Sequence, residues 1–125
     1  MNIKINEREL DAVTEVLKVL GHEVRLRLMF TLLRTGEKSV SELESITGVG
    51  QPALSQQLAI LRKAELVNTR RDSKLVFYRL APDALTKTAN LIADLAGLNS
   101  NRAGQPPKSA QSRARGSAAA FAKIL

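Results

Sequence analysis

Gln51-Pro52-Ala53-Leu54-Ser55-Gln56-Gln57-Leu58-Ala59-Ile60-Leu61-Arg62-Lys63-Ala64 is the stretch that decides the fold. Leu54, Leu58 and Leu61 fall at i, i+4 and i+7, which gives one buried face to a helix over about residues 51–64. At about 100° per residue, Pro52, Gln56, Ala59 and Lys63 point the opposite way, with Ala53, Ser55, Gln57 and Ile60 on the flanks. The outward surface near the N-terminal end is therefore small and polar. A helix that must enter a groove needs that profile. Pro52 is tolerated there because the first turn has spare N–H groups.

Upstream, Gly48-Val49-Gly50 reads as a turn, and a short helix precedes it. Ser41-Glu42-Leu43-Glu44 fits a capping box, in which Ser41 accepts from the Glu44 amide and the Glu44 carboxylate reaches back. Lys38-Ser39-Val40 reads as a short extended segment. Earlier still, Val13, Val16, Leu17 and Leu20 recur at helical spacing up to Gly21. A second helix, about residues 23–34, has Val24, Leu28 and Leu32 as its inner stripe and stops at Gly36.

Downstream, two β-prone runs, residues 66–71 and 74–80, flank a tight turn at Asp72-Ser73. Arg70, Arg71 and Lys74 crowd the tip of this hairpin, and Val76, Tyr78 and Leu80 alternate to one face. A last helix starts near Pro82 and carries Leu85, Ala89, Ile92 and Leu95 on one stripe. The expected architecture is mainly α with a small β-hairpin wing, in the order α-α-α-α-β-β-α.

This order of elements makes physical sense as a DNA reader. The second helix of a helix-turn-helix enters the major groove, about 12 Å wide, and its N-terminal residues meet base edges. Gln pairs with adenine through two hydrogen bonds, so Gln51, Gln56 and Gln57 are candidate base readers, with Pro52 and Ala53 beside them. Ser41, Ser55 and Lys63 suit phosphate, as do Arg70, Arg71 and Lys74 on the wing. Taken singly, each has a plainer reading: adjacent arginines at a hairpin tip, or three glutamines on a helix, are usually solvated surface. It is their occurrence in this order within forty or so residues that favours DNA.

The residues also resemble the ArsR family of bacterial repressors. The resemblance is carried by Leu17-Lys18-Val19-Leu20-Gly21-His22-Glu23-Val24-Arg25-Leu26-Arg27-Leu28 and by the stretch from Gln51 to Val67. Thr69-Arg70-Arg71 and Val76-Phe77-Tyr78-Arg79-Leu80 match the family's wing. It spans about residues 8–96. It implies a winged helix-turn-helix that dimerises through its first and last helices, and an operator-binding repressor released by a chemical signal. Val13, Val16, Leu17 and Leu20, with Leu85, Ala89, Ile92 and Leu95, are then the dimer candidates. Two departures stand out: many members have His where Gln57 stands and Gly where Glu65 stands. A glycine after the recognition helix accepts a left-handed backbone at little cost and Glu65 accepts it less well, so an exit altered in detail is expected.

The family's sensor sites have no counterpart in this sequence. Its Cys-x-Cys metal ligands align with Ser39 and Ser41, poor ligands for soft metals. Its Asp/His site on the last helix meets Asp83 and Asp94 but no histidine, and the chain has no cysteine for thiol sensing. The single histidine, His22, begins a helix, where a capping or solvent role outweighs ligation. No metal site, no cofactor and no thiol-based response are expected. A small molecule, a protein partner or an effector-independent mode remain open, and Leu28, Phe30, Leu33, Leu91 and Leu95 line either a ligand cavity or plain core.

Catalysis is disfavoured. Ser55 and Asp94 exist, but one histidine without an acid at a recognisable spacing makes no triad, and Gly48-Val49-Gly50 lacks the Gly-Lys-Ser ending of a phosphate loop. A winged helix used for protein binding is a third class, and it would have no need of Arg70, Arg71 and Lys74.

Composition sets the remaining bounds. The 125 residues, 44% apolar, suit one small domain that a dimer interface would help to bury. No apolar stretch approaches the ~20 residues of a membrane span, and the first ten residues lack a signal-peptide core, so a cytoplasmic location is expected. The net charge is +7, but residues 1–96 hold 14 basic against 12 acidic side chains. Residues 97–125 hold Arg102, Lys108, Arg113, Arg115 and Lys123 and no acid. Pro106-Pro107 and a Ser/Ala/Gly/Arg mixture leave that tail little to bury before Phe121, which predicts disorder. The expected division is a DNA-binding and dimerisation domain over residues 1–96 and a basic tail over 97–125. The tail either adds non-specific phosphate attraction or is inert.

Overall fold

The computed structural model describes residues 6–99. In chain order its elements are α1 (Glu7–Leu20), α2 (Glu23–Thr35), β1 (Lys38–Ser39), α3 (Val40–Thr47), α4 (Ala53–Lys63), β2 (Val67–Asp72), β3 (Leu75–Leu80) and α5 (Thr86–Leu95). They fall into two compact units divided between Leu85 and Thr86. The first unit holds α1–α4 and the sheet; the second holds α5. Residues 100–125, the greater part of the expected tail, lie outside the described residues.

Helix α2 is the hub of the first unit and packs against α1, α3, α4 and β3. Its Leu28, Met29 and Leu32 join Leu43 of α3, then Leu54, Leu58 and Leu61 of α4, and finally Leu66 and Val67 at the start of β2. The three α4 leucines are fully buried, as their spacing predicts. Truncating one of them to alanine would cost about 2.7–5 kcal/mol in such a core.

Local chemistry sets the helix ends. Asn6 caps α1 by accepting from the Arg8 amide. His22 caps α2, its Nδ1 accepting from the Val24 amide at 3.2 Å, so its role is the capping one. The capping box of α3 corrects the expectation. Ser39, not Ser41, is the N-cap, and Glu42, not Glu44, is its reciprocal partner. Two Ser-x-x-Glu frames overlap here. Pairing of Ser39 with Phe77 across the sheet keeps Ser39 extended, and starting the helix at Val40 turns Val40 and Leu43 towards the core.

Strand β1 pairs antiparallel with β3, which pairs antiparallel with β2, in the order β1-β3-β2. The short extended segment is thus a third strand of the sheet. The hairpin turn sits one residue later than expected. Asp72 is the last paired residue of β2, opposite Leu75, and Ser73-Lys74 make the loop, with Ser73 at φ 58°. The last helix starts at Thr86, not Pro82, because Asp83 at φ 64° interrupts the helical path.

The exit of α4 is a Schellman motif. The Glu65 amide donates to the Arg62 carbonyl at 2.9 Å, and the Leu66 amide to the Leu61 carbonyl at 3.0 Å. Glu65 itself is left-handed, at φ 61°. This is the backbone a glycine would accept most easily, and Glu65 holds it because Leu61 and Leu66, both buried, bracket the turn.

Candidate nucleic-acid interface

Helix α3, the turn 48–52 and helix α4 form the helix-turn-helix, and the β2–β3 hairpin extends beyond it. Gly48, left-handed at φ 75°, ends α3 and lets the chain reverse into α4. Helix α4 begins at Ala53, two residues later than expected, with Pro52 at its N-cap and no cap from that side chain. Gln51 takes over the capping. Its Oε1 accepts from the Ser55 amide at 3.2 Å and from the Ser55 hydroxyl at 2.6 Å.

The three glutamines therefore differ. Gln51 has its carbonyl oxygen committed to the first turn of α4. Gln57 is half-buried, and its Oε1 accepts from Arg25 Nη1 of α2 at 2.8 Å. Gln56 is exposed and makes no side-chain hydrogen bond with another described residue, so both ends of its amide face solvent. Ala53 and Pro52 are exposed beside it, Lys63 is exposed in the last turn, and the Ser55 proton is directed at Gln51. Ser41 is exposed on α3, its Oγ 3.2 Å from that of Ser39. The aligned sensor positions thus come together as two hydroxyls.

The wing cations also separate. Arg70 leaves the tip and turns back to Glu37, just before β1, with Nη2 to Oε1 at 2.7 Å and Nε to both carboxylate oxygens at 3.2 Å. It lies 4.7 Å over the Phe77 ring and 3.7 Å from Asp72. The hydrogen bond from Arg70 holds the Glu37 carboxyl below its ordinary range, and Glu37 raises Arg70 in turn. Arg71, one residue on, faces the other side of the hairpin, and with Lys74 at the tip it is exposed. Arg70 anchors the wing, while Arg71 and Lys74 remain as its outward charge. Sequence reasoning missed Arg25 and Glu37, which act across 32 and 33 residues.

The dimer candidates sort by burial. Val13 is buried, Val16 and Leu20 pack on the core, and Leu85 lies in the turn before α5 and packs there too. Leu17 on α1 and Ala89, Ile92 and Leu95 on α5 are exposed. Leu10 is exposed as well; its place seven residues before Leu17 was the signal for it. Of the apolar residues read as ligand cavity or core, Leu28 is core, whereas Leu33 of α2 and Leu95 of α5 are exposed.

Comparison with known proteins places this geometry. The sequence profile of the bacterial regulatory proteins of the arsR family matches residues 22–69, from the cap of α2 into β2. The biofilm growth-associated repressor of Xylella fastidiosa is 46% identical over 86 residues, 69% of this chain and 75% of that protein. The chain belongs to the ArsR family. The crystal structure of the Xylella fastidiosa repressor BigR is similar at a TM-score of 0.58, covering 74% of this chain and 91% of that one at 46% identity. HlyU from Vibrio cholerae is similar at 0.62, with 38% identity over 72% of this chain and 97% of that one. This ArsR-family chain is a winged helix-turn-helix, DNA-binding transcriptional regulator. No helix among the described residues is long and apolar enough to cross a membrane.

Proposed function

We propose that this ArsR-family regulator is a cytoplasmic repressor that binds a pseudo-palindromic operator as a homodimer, reading bases with the N-terminal half of α4. One observation carries the reading: Ala53 and Gln56 are exposed on a helix whose opposite face is wholly buried, while the wing keeps Arg71 and Lys74 exposed. Gln56 reads a base edge, and Arg71, Lys74, Lys63 and Ser41 hold phosphates. Each unit supplies apolar side chains for a second copy, Leu10 and Leu17 on α1 and Ala89, Ile92 and Leu95 on α5. Two-fold symmetry then sets the recognition helices about 34–36 Å apart. Residues 1–96 carry these tasks, and the chain works by binding rather than catalysis. The named repressors among its relatives support the direction of control.

The test is binding to the DNA upstream of its own gene against a scrambled duplex, at physiological salt. A preference of ~10³ or more establishes sequence-specific binding. Equal, steeply salt-dependent binding to both refutes specific readout of that fragment, and no binding to either favours a protein partner. A reporter fused to the bound fragment separates repression from activation. Truncation at Gly97 that leaves affinity and salt slope unchanged assigns the tail no part in binding.

A further inference from the structure

Arg25 holds together two parts of the first unit that the sequence keeps far apart. Its Nε donates to the Val19 carbonyl at 2.6 Å, and its Nη1 donates to Gln57 Oε1 at 2.8 Å. Val19 lies in the last turn of α1, where a carbonyl has no partner within the helix. One half-buried guanidinium thus closes the end of α1 and grips the recognition helix.

The grip has a chemical consequence. A glutamine amide presents an acceptor at one end and two donors at the other, and free rotation lets it show either. Guanidinium has donors only, so the end facing Arg25 must be the oxygen. The NH2 end then points away. Adenine offers one acceptor and one donor in the major groove, and pairing with it requires both ends of the amide. Gln57 gripped by Arg25 presents its NH2 group instead. Such a donor meets two acceptors at guanine, N7 and O6, and one at thymine O4 or a phosphate oxygen, whereas at adenine it meets N7 alone and leaves the neighbouring N6–H2 without a partner.

We propose that Arg25 is a positioning residue that fixes the hydrogen-bonding polarity of Gln57, making it a donor towards an acceptor on DNA. The inference rests on the operator-binding reading above and adds which chemistry Gln57 presents. Arg25 touches no DNA in this scheme and acts only through Gln57.

The full chain carrying Arg25→Met, Arg25→Lys, Gln57→Met or the Arg25→Met/Gln57→Met pair tests it, in the free protein and on DNA. In the free protein, the Arg25 Nη–H resonances shift when Gln57 becomes Met, and unfolding free energies of the cycle are non-additive. Additive energies with unmoved resonances overturn the proposal whatever the DNA result. On DNA, preferred duplexes are selected from a randomised pool. With a base edge as target, wild type favours G or T at one position of each half-site. Arg25→Met then lets A in by roughly five- to tenfold, and Arg25→Lys restores part of the preference. With phosphate as target, Gln57→Met weakens all duplexes alike. In either case Arg25→Met has no further effect once Gln57 is Met. A loss on Arg25→Met that is the same in both backgrounds shows a merely structural arginine and overturns the proposal. A wild type with no duplex preference, but with coupling intact in the free protein, defeats the operator reading and this role together while leaving the hydrogen bond itself standing.

Discussion

Replacing Glu65 by glycine should stabilise the protein. Glu65 sits at φ 61° immediately after α4, exposed, in the left-handed turn that closes the Schellman motif. The left-handed conformation costs a residue with a Cβ about 1–2 kcal/mol. Glycine is released from that cost but has more unfolded-state freedom to lose, which offsets about 0.4–1 kcal/mol. The expected net gain is about 0.5–1 kcal/mol per chain. For a domain of this size it raises Tm by roughly 2–6 °C. Thermal unfolding followed by circular dichroism reads it, at one protein concentration throughout because dimerisation would shift Tm. Glu65→Ala is the control: it removes the carboxylate but keeps the Cβ, and should leave Tm near wild type. Glu65→Asn should fall between. If glycine is no better than alanine, backbone strain at residue 65 is not a cost the fold bears, and the argument fails.

Other expectations follow from the same geometry. Arg71→Ala or Lys74→Ala should each flatten the salt dependence of DNA binding, by about 0.9 in log–log slope for every phosphate no longer neutralised. Arg70→Ala, which removes a wing anchor, should weaken binding with the slope unchanged; titrations at several salt concentrations compare them. Glu37 and Glu42 are both held below their ordinary range, Glu37 chiefly by the Arg70 hydrogen bond and Glu42 by the Ser39 amide. Their stabilising effect is therefore full above the unfolded value, about 4.3, and is lost as pH falls through the folded values. Denaturation midpoints between pH 7 and 3 should decline less steeply in Glu37→Gln and Glu42→Gln. Leu17→Glu, at a side chain 40% exposed, should leave helix content intact and yield monomers by light scattering. Gln56→Ala should lower affinity for the operator by about 1–3 kcal/mol and hardly alter affinity for a scrambled duplex.

Much of this was legible in the sequence because the governing physics is local. The i, i+4, i+7 leucines of α4 announce a buried face wherever they occur, and Gly21, Gly36 and Gly48 stand where helices must stop. The exit of α4 was only half legible: the family resemblance pointed to a left-handed turn, the glutamate pointed to an altered one, and Glu65 keeps the left-handed turn at φ 61°. Strand β1 was not: two residues carry no period, and only pairing with Phe77 and Tyr78 makes them a strand. The α3 cap was ambiguous for a related reason, since overlapping Ser-x-x-Glu frames are locally equivalent and a distant strand chooses between them. Gln57 and Arg70 looked free to meet DNA because Arg25 and Glu37 approach them only after folding.

The exit from α4 also bears on how such a protein can diversify. Between Lys63 and Val67 the amides of residues 64, 65 and 66 all bond back to the helix, and the Leu66 carbonyl accepts from Ala81 beyond the hairpin. Helix and wing are joined without slack, like the two jaws of a caliper cut from one piece. An insertion there would break the bonds that set the gauge and change the span between the groove-reading and backbone-holding surfaces. At Ser73-Lys74, an added residue would lengthen one jaw alone. New targets of different footprint are thus reachable by editing the tip, and changes of length at the joint would be purged.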